Sequence, residues 1–234
     1  MNEDKKISAA KEALKYIKTN SIIGIGTGST VKPFITLLND LVETKHLKIA
    51  CIPTSEESRK ALHKNIEIVS EDLSVQIDLT IDGADQVSFD NYLIKGGGGA
   101  LLREKFVAIN SLINITIVDD SKVTKILNGP LLPVEIIPFG YKSTINRLQS
   151  IGFNGLIRIK GEKIYKTDNG NYIFDINLKS PILDPLSTHN LLKSISGVIE
   201  TGLFLQTSDI IIIGKNKDSV DVWIKGENNG RKNS

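Results

Sequence analysis

The sequence predicts an α/β protein: a mostly parallel sheet covered by helices on both faces, with a second, smaller α+β domain. Three observations carry this expectation. In the first half, short apolar runs alternate with stretches whose apolar residues recur every three or four positions, the signatures of buried strands and amphipathic helices. After Gly129-Pro130 the order changes to βαββαβ, the split unit of ferredoxin-like folds. Two apolar strands, 209–214 and 220–225, follow that unit and are placed to return to the first sheet.

Taken in order, Ile7, Ala10, Leu14 and Ile17 recur at helical spacing, and residues 21–26 are a short apolar run ending in glycine, hence a buried strand. Val31, Phe34, Ile35, Leu38 and Val42 mark the next helix. Strands are expected at 48–52, 66–69, 77–81, 92–95 and 113–118, with a helix over about 100–110 between the last two. The second domain reads as strand 133–137, helix 141–150, strand 156–160, strand 172–177, helix 186–195 and strand 198–205. Asp168-Asn169-Gly170-Asn171 supplies a hairpin turn between the strands at 156–160 and 172–177. The implied boundaries are 1–130 plus 206–225 for the sheet domain and 131–205 for the second. The tail, 226–234, has no apolar residue and is expected to be disordered.

Composition narrows the function classes. Among 234 residues, 40% are hydrophobic and 24% charged, the balance of an ordinary globular protein long enough to bury a core without disulfides. Cys51 is the single cysteine, which excludes a disulfide framework and points to a reducing, cytoplasmic setting. No apolar run approaches the ~18 residues of a membrane span, and residues 1–6 lack a signal-peptide core. Twenty-nine basic and 27 acidic residues leave a net charge of +2, too little for a nucleic-acid footprint. Aromatic residues, 6% and scattered, form no stacking platform. His46, His63 and His189 are not spaced with cysteine or carboxylates as metal ligands are. The expectation is chemistry without metal, cofactor or histidine.

Four clusters fall where strands end, the edge at which open parallel sheets bind ligands. Gly24-Ile25-Gly26-Thr27-Gly28-Ser29-Thr30 runs from strand into helix, bringing hydroxyls, amides and the positive end of a helix dipole to one place. A phosphate or carboxylate suits it. It is neither a dinucleotide fingerprint, which needs glycine at 29, nor a P-loop, which needs Gly-Lys-Ser/Thr. An ordinary glycine turn with a Ser/Thr helix cap is the structural alternative. Asp82-Gly83-Ala84-Asp85 sets two carboxylates three residues apart at a strand end, although Asp-Gly also marks common turns. Lys95-Gly96-Gly97-Gly98-Gly99 precedes a helix that carries Glu104 near its start. Four consecutive glycines are entropically costly and suit close backbone approach to negative charge. Asp119-Asp120-Ser121-Lys122 adds a lysine that either meets a phosphate or is an ordinary surface residue. The inventory fits proton transfer beside a carbonyl on a small phosphorylated substrate. It does not choose the substrate.

The strings Gly26-Thr27-Gly28-Ser29-Thr30, Asp82-Gly83-Ala84-Asp85, Lys95-Gly96-Gly97-Gly98 and Arg103-Glu104-Lys105 resemble ribose-5-phosphate isomerases of the A type. The likeness continues through Asp120-Ser121-Lys122, Leu132-Pro133-Val134-Glu135, Thr167-Asp168-Asn169-Gly170-Asn171 and Gly202-Leu203-Phe204, in order and nearly end to end. Gln86, where many relatives have Glu, and Gly99, where many have Ala, depart from it. The resemblance implies a Rossmann-like domain plus a ferredoxin-like one, and a homodimer or tetramer. It implies metal-independent interconversion of D-ribose 5-phosphate and D-ribulose 5-phosphate through a cis-enediolate, in the non-oxidative pentose phosphate pathway. Glu104 is then the proton-transferring base, and Asp82, Asp85 and Lys95 open the sugar ring and position its oxygens. Gly96, Gly97 and Gly98 stabilise the oxyanion. Thr27, Gly28, Ser29, Thr30, Gly83, Ala84 and Lys122 contact substrate, with Lys6 a further candidate. Two other classes share the fold. A sugar-phosphate-sensing domain of a transcription regulator would need a helix-turn-helix segment, and a coenzyme A transferase a covalent carboxylate and a thioester substrate. The sequence suggests neither.

Overall fold

The computed structural model describes residues 2–70, 72–129, 131–216 and 219–227. Of the tail expected to be disordered, residues 228–234 lie outside the described residues. In chain order the elements begin α1 (Asn2–Leu14), β1 (Ile22–Ile25), α2 (Val31–Lys45), β2 (Ala50–Pro53), α3 (Glu56–Ala61), β3 (Glu67–Ile68) and β4 (Ile77–Gly83). Next come β5 (Gln86–Ser88), β6 (Tyr92–Ile94), α4 (Leu101–Ile109), β7 (Ser111–Asp119), a 3-10 turn (Asp120–Lys122) and β8 (Val123–Thr124). Then follow β9 (Leu131–Ile136), α5 (Tyr141–Ser150), β10 (Gly155–Ile157), β11 (Ile159–Lys160), β12 (Lys163–Ile164) and β13 (Tyr172–Asn177). The chain closes with α6 (Pro185–Lys193), β14 (Val198–Thr201), β15 (Leu203–Leu205), β16 (Ile210–Gly214) and β17 (Val220–Ile224).

Two compact units emerge. The first comprises Met1–Ala84, Arg103–Val123 and Thr207–Ser234, the second Asp85–Leu102 and Thr124–Gln206. Residues 85–102 and 124–130, read from the sequence with the sheet domain, group with the second unit. The reason for the former is pairing: β6 joins β15 and β5 rather than the parallel sheet.

The first unit is built on a seven-stranded sheet of order β17-β16-β7-β4-β1-β2-β3. Every neighbouring pair is parallel except β16 with β17. Strands covered on both faces read as continuous apolar runs, which is why Ile210–Ile213 and 21–26 were legible as strands. The helical stripe predicted on α2 is the buried one: Val31, Phe34, Ile35, Leu38 and Val42 pack with Ile23, Ile25, Ile81 and Ile117. Removing a side chain such as Phe34 or Leu38 from water contributes about 1.5–3 kcal/mol each. Ile25 pairs with Ile81 and Gly83 with Ile117, so the carboxyl ends of β1, β4 and β7 lie side by side. The short α3 carries no apolar stripe and escaped the sequence pattern. Ser55 starts it by accepting from the Ser58 amide at 3.1 Å, with Glu56 and Glu57 in the first turn to favour the dipole.

The second unit contains the four-stranded antiparallel sheet β10-β13-β9-β14, flanked in sequence by α5 and α6, the ferredoxin-like arrangement. Val134, Ile136, Phe174, Ile176, Leu148 and Leu192 fill its core. Two predicted strands are divided. The run 156–160 breaks after Ile157, and β11 pairs with β12 as a separate hairpin. The turn expected at 168–171 is present, with the Gly170 amide donating to Thr167 O at 2.8 Å, but it follows that hairpin rather than joining β10 directly to β13. The run 198–205 splits at Gly202, where β14 leaves the antiparallel sheet and β15 joins β6. Gly202 donates to Pro133 O at 2.7 Å and accepts from the Lys95 amide at 2.9 Å. A Cβ there would collide with Lys95 O and lie 3.0 Å from Pro133 O, so the two backbones pass only beside a glycine. Among the described residues no helix is long and apolar enough to cross a membrane.

Candidate active site

In the first unit, the chain leaves β1 at Gly26, turns through Gly28 and enters α2. Gly28 has φ +114°, a backbone state that side-chain-bearing residues rarely adopt. Val31 and Lys32 donate their amides to Gly28 O at 3.1 and 3.2 Å. Thr30 precedes the helix, is buried, and makes no side-chain capping bond, so the capping alternative is not what this hydroxyl does. Ser29 is exposed, and Lys6 donates to its hydroxyl at 3.0 Å, setting an ammonium beside the turn.

Thr27 differs from expectation. Its hydroxyl lies 2.8 Å from both Thr54 Oγ1 and Ser55 Oγ, and Ser58 Oγ donates to Gly26 O at 2.6 Å. Its amide donates to Asp82 Oδ1 at 3.2 Å. Thr27 therefore builds the turn from within, and of the three hydroxyls that the sequence offered to a ligand, those of Ser29 and Thr30 remain as candidates. Asp82, next to last in β4, has only 6% exposure, its Oδ1 accepting also from the Gly83 amide at 2.7 Å. A Cβ on Gly26 would occupy the space of that carboxylate. Gly26 is thus a close-approach glycine, not merely a turn former.

Glu104 stands in the first turn of α4 and is 2% exposed. Lys122 closes the 3-10 turn after β7, half-buried, where Asp119 accepts from the Ser121 amide at 3.0 Å. The neighbouring Asp120 pairs with Lys5 at 2.6 Å. The turn 27–30, Asp82, Gly83, Ala84, Glu104 and Lys122 all belong to this first unit.

Asp85, Lys95 and Gly96 to Gly98 belong to the second unit. The sequence set Asp85 and Lys95 on separate strand ends. In the structure they flank one hairpin, β5–β6, in which Gln86 pairs with Ile94. The Asp85 amide donates to Ile94 O at 2.8 Å, and the Gly97 amide donates to Asp85 Oδ2 at 2.8 Å. Lys95 is 5% exposed, its Nζ 5.3 Å from the centroid of the Phe204 ring on β15. That distance permits a cation–π contact. One glycine amide assigned to an oxyanion is therefore engaged with a carboxylate of the same unit.

Sequence reasoning missed several groups around these residues. Thr54, Ser55 and Ser58 lay on an unread helix start. Arg158 reaches across 62 positions to Gly96 O at 2.9 Å while forming an ion pair with Asp175. An arginine inside an apolar strand, with an acid on the expected partner strand, was the available signal. Glu135, quoted above without a role, is fully buried and accepts from Thr167 Oγ1 and Asn171 Nδ2, both at 2.9 Å. Burial pushes its carboxyl above the usual range, against the opposing effect of those donors. Among the described residues no three or more His, Cys, Asp or Glu side chains are grouped as metal ligands are.

Residues 50–218 match the ribose 5-phosphate isomerase A (phosphoriboisomerase A) family. Ribose-5-phosphate isomerase A of Protochlamydia amoebophila is 43% identical over 211 residues, 89% of this chain and 90% of that one. The ribose 5-phosphate isomerase A structure from Methanocaldococcus jannaschii is similar with a TM-score of 0.88 at 36% identity, covering 96% of this chain and 100% of that chain. A D-ribose-5-phosphate isomerase in complex with phospho-erythronic acid gives a TM-score of 0.89 at 36% identity over the same shares. With similarity this high over nearly the whole length, and with the fold shared, the chain belongs to the ribose 5-phosphate isomerase A family.

Proposed function

We infer that this chain interconverts D-ribose 5-phosphate and D-ribulose 5-phosphate, an aldose–ketose isomerisation through a cis-enediolate. The observation that carries the reading is the placement of three largely buried ionisable side chains on the segments that carry the glycine turns and the strand ends: Glu104 at 2%, Lys95 at 5% and Asp82 at 6% exposure.

Glu104 is the base in this reading. It takes the proton from C2 of the open-chain aldose and returns it to C1, while a proton moves from O2 to O1. One carboxylate on one face of the enediolate serves both carbons. Asp82, Asp85 and Lys95 exchange the protons that open the furanose ring. Gly98 and its neighbours hold the enediolate oxygen, whose developing charge suits fixed N–H donors. Ser29, Thr30, Lys6 and the start of α2 hold the phosphate, with Gly28, Gly83, Ala84 and Lys122 completing the substrate contacts. Homodimeric or tetrameric assembly is proposed as well. Phe106, Ile109 and Leu112, all more than half exposed on α4 and the start of β7, support it.

The test is direct. Purified protein is mixed with ribose 5-phosphate in chelator, and ketopentose formation is followed. Turnover that survives chelation is the expected result. Absence of turnover with and without added divalent metal overturns the reading. Sedimentation reports the assembly, and a monomer at working concentration overturns that part alone.

A further inference from the structure

Within the second unit Arg158 is held from every side. Its backbone amide donates to Ile173 O at 2.8 Å, and its carbonyl accepts from the Tyr165 amide at 2.9 Å. Its Nε and Nη2 donate to the two carboxylate oxygens of Asp175 at 2.8 and 2.5 Å, a bidentate pair whose side chains are 17% and 13% exposed. The remaining Nη1 donates to Gly96 O at 2.9 Å and Gly97 O at 3.1 Å.

A trans peptide is planar, so its C=O and N–H point in opposite directions. Holding the carbonyls of Gly96 and Gly97 on the guanidinium therefore fixes the N–H groups of Gly97 and Gly98 on the other side of the loop. The Gly97 N–H meets Asp85 Oδ2 at 2.8 Å. A cation on the carbonyl also polarises the peptide, strengthening the bond that its N–H donates. The line Asp175–Arg158–peptide 96/97–Asp85 is continuous.

We propose that Arg158, locked by Asp175, is a positioning residue for the isomerase site: it orients the glycine loop so that one peptide holds Asp85 and the next presents the Gly98 N–H. This rests on the isomerase reading above and adds residues to it. Arginine is needed because a planar fork serves a carboxylate and two carbonyls together. A lysine is a point charge without that geometry.

Arg158→Met, which keeps the aliphatic stem, and Arg158→Lys, which keeps the charge, test the proposal. Readouts are thermal unfolding, kcat and KM for ribose 5-phosphate, and amide hydrogen exchange at Gly97 by NMR. Expected are exchange at Gly97 faster by roughly tenfold, kcat lower by about 10- to 100-fold, and a smaller change in KM. Lysine should restore little of kcat. If both variants fail to fold, Asp175→Asn, which keeps shape but releases the guanidinium, is expected to accelerate Gly97 exchange. Unchanged exchange in that variant overturns the proposal. A folded Arg158 variant with kcat within about twofold of wild type, or with lower kcat but unchanged Gly97 exchange, also overturns it. If the wild-type protein does not isomerise, the activity reading falls. Gly97 exchange then still decides whether Arg158 holds the loop.

Discussion

Replacing Gly26 by alanine tests whether close approach, rather than backbone freedom, is what the first glycine turn requires. The added methyl would occupy the space of the Asp82 carboxylate, so Asp82 must leave its place. On leaving, its Oδ1 loses the Thr27 amide at 3.2 Å and the Gly83 amide at 2.7 Å. Hydrogen bonds to a charged partner contribute about 1.5–3 kcal/mol each, so the loss is about 3–6 kcal/mol, with the lower end applying where the displaced carboxylate reaches water. If the same displacement carries through to the transition state, kcat/KM falls by roughly 10²- to 10⁴-fold, at a factor of ten per 1.4 kcal/mol. Urea unfolding measures the first quantity and steady-state ketopentose formation the second. The variant Gly26→Ala/Asp82→Gly isolates the cause, since Asp82 Cβ would itself lie 2.6 Å from the added methyl and only removal of the whole side chain leaves room. The double variant should be more stable than the sum of the two single losses by more than about 1 kcal/mol. Strict additivity, or a Gly26→Ala protein within about 0.5 kcal/mol of wild type, would refute the argument.

Glu104→Gln keeps the size of the side chain but cannot accept a proton, so kcat should fall roughly 10²- to 10⁴-fold with little change in KM. Solvent exchange at C2 in heavy water checks it, and exchange at the wild-type rate would remove Glu104 from the role of base. Glu135 binds its proton more tightly in the folded chain than in the unfolded one. Its contribution to stability is therefore fully present below the ordinary value of 4.5 and is lost as pH rises through the elevated folded value. Glu135→Gln, which keeps an acceptor for Thr167 and Asn171, should gain stability relative to wild type as pH is raised through that window. A difference independent of pH in a urea series would contradict this. Burial pushes the Cys51 thiol up to about 12, so at pH 8 a thiol reagent should label it only as fast as the protein unfolds. Rapid labelling of native protein would count against that burial.

The sequence by itself determined the longer helices, the apolar strands of the parallel sheet, the order βαββαβ and the types of chemical groups at the strand ends. These are local properties: the α2 stripe from Val31 to Val42, the apolar runs of the parallel strands and the glycine clusters each lie within one stretch of chain. Where two segments compete for one stretch, local pattern failed. The run 198–205 looks like one strand because nothing nearby records that Gly202 passes between Lys95 O and Pro133 O. Residues 85–102 look like part of the parallel sheet because β6 finds its partner β15 more than a hundred positions later. The candidate site divides in the same way. Glu104, Asp82 and Lys95 were legible as candidates, since the carboxylates and the lysine stand beside glycine loops in the chain itself. Tertiary structure alone decided that Thr27 faces inward to Ser55, that Asp85 accepts from Gly97, and that Arg158 reaches the glycine loop. Those outcomes depend on hydrogen-bond geometry between strands brought together by folding. Spacing along the chain carries no record of which donor will face which acceptor.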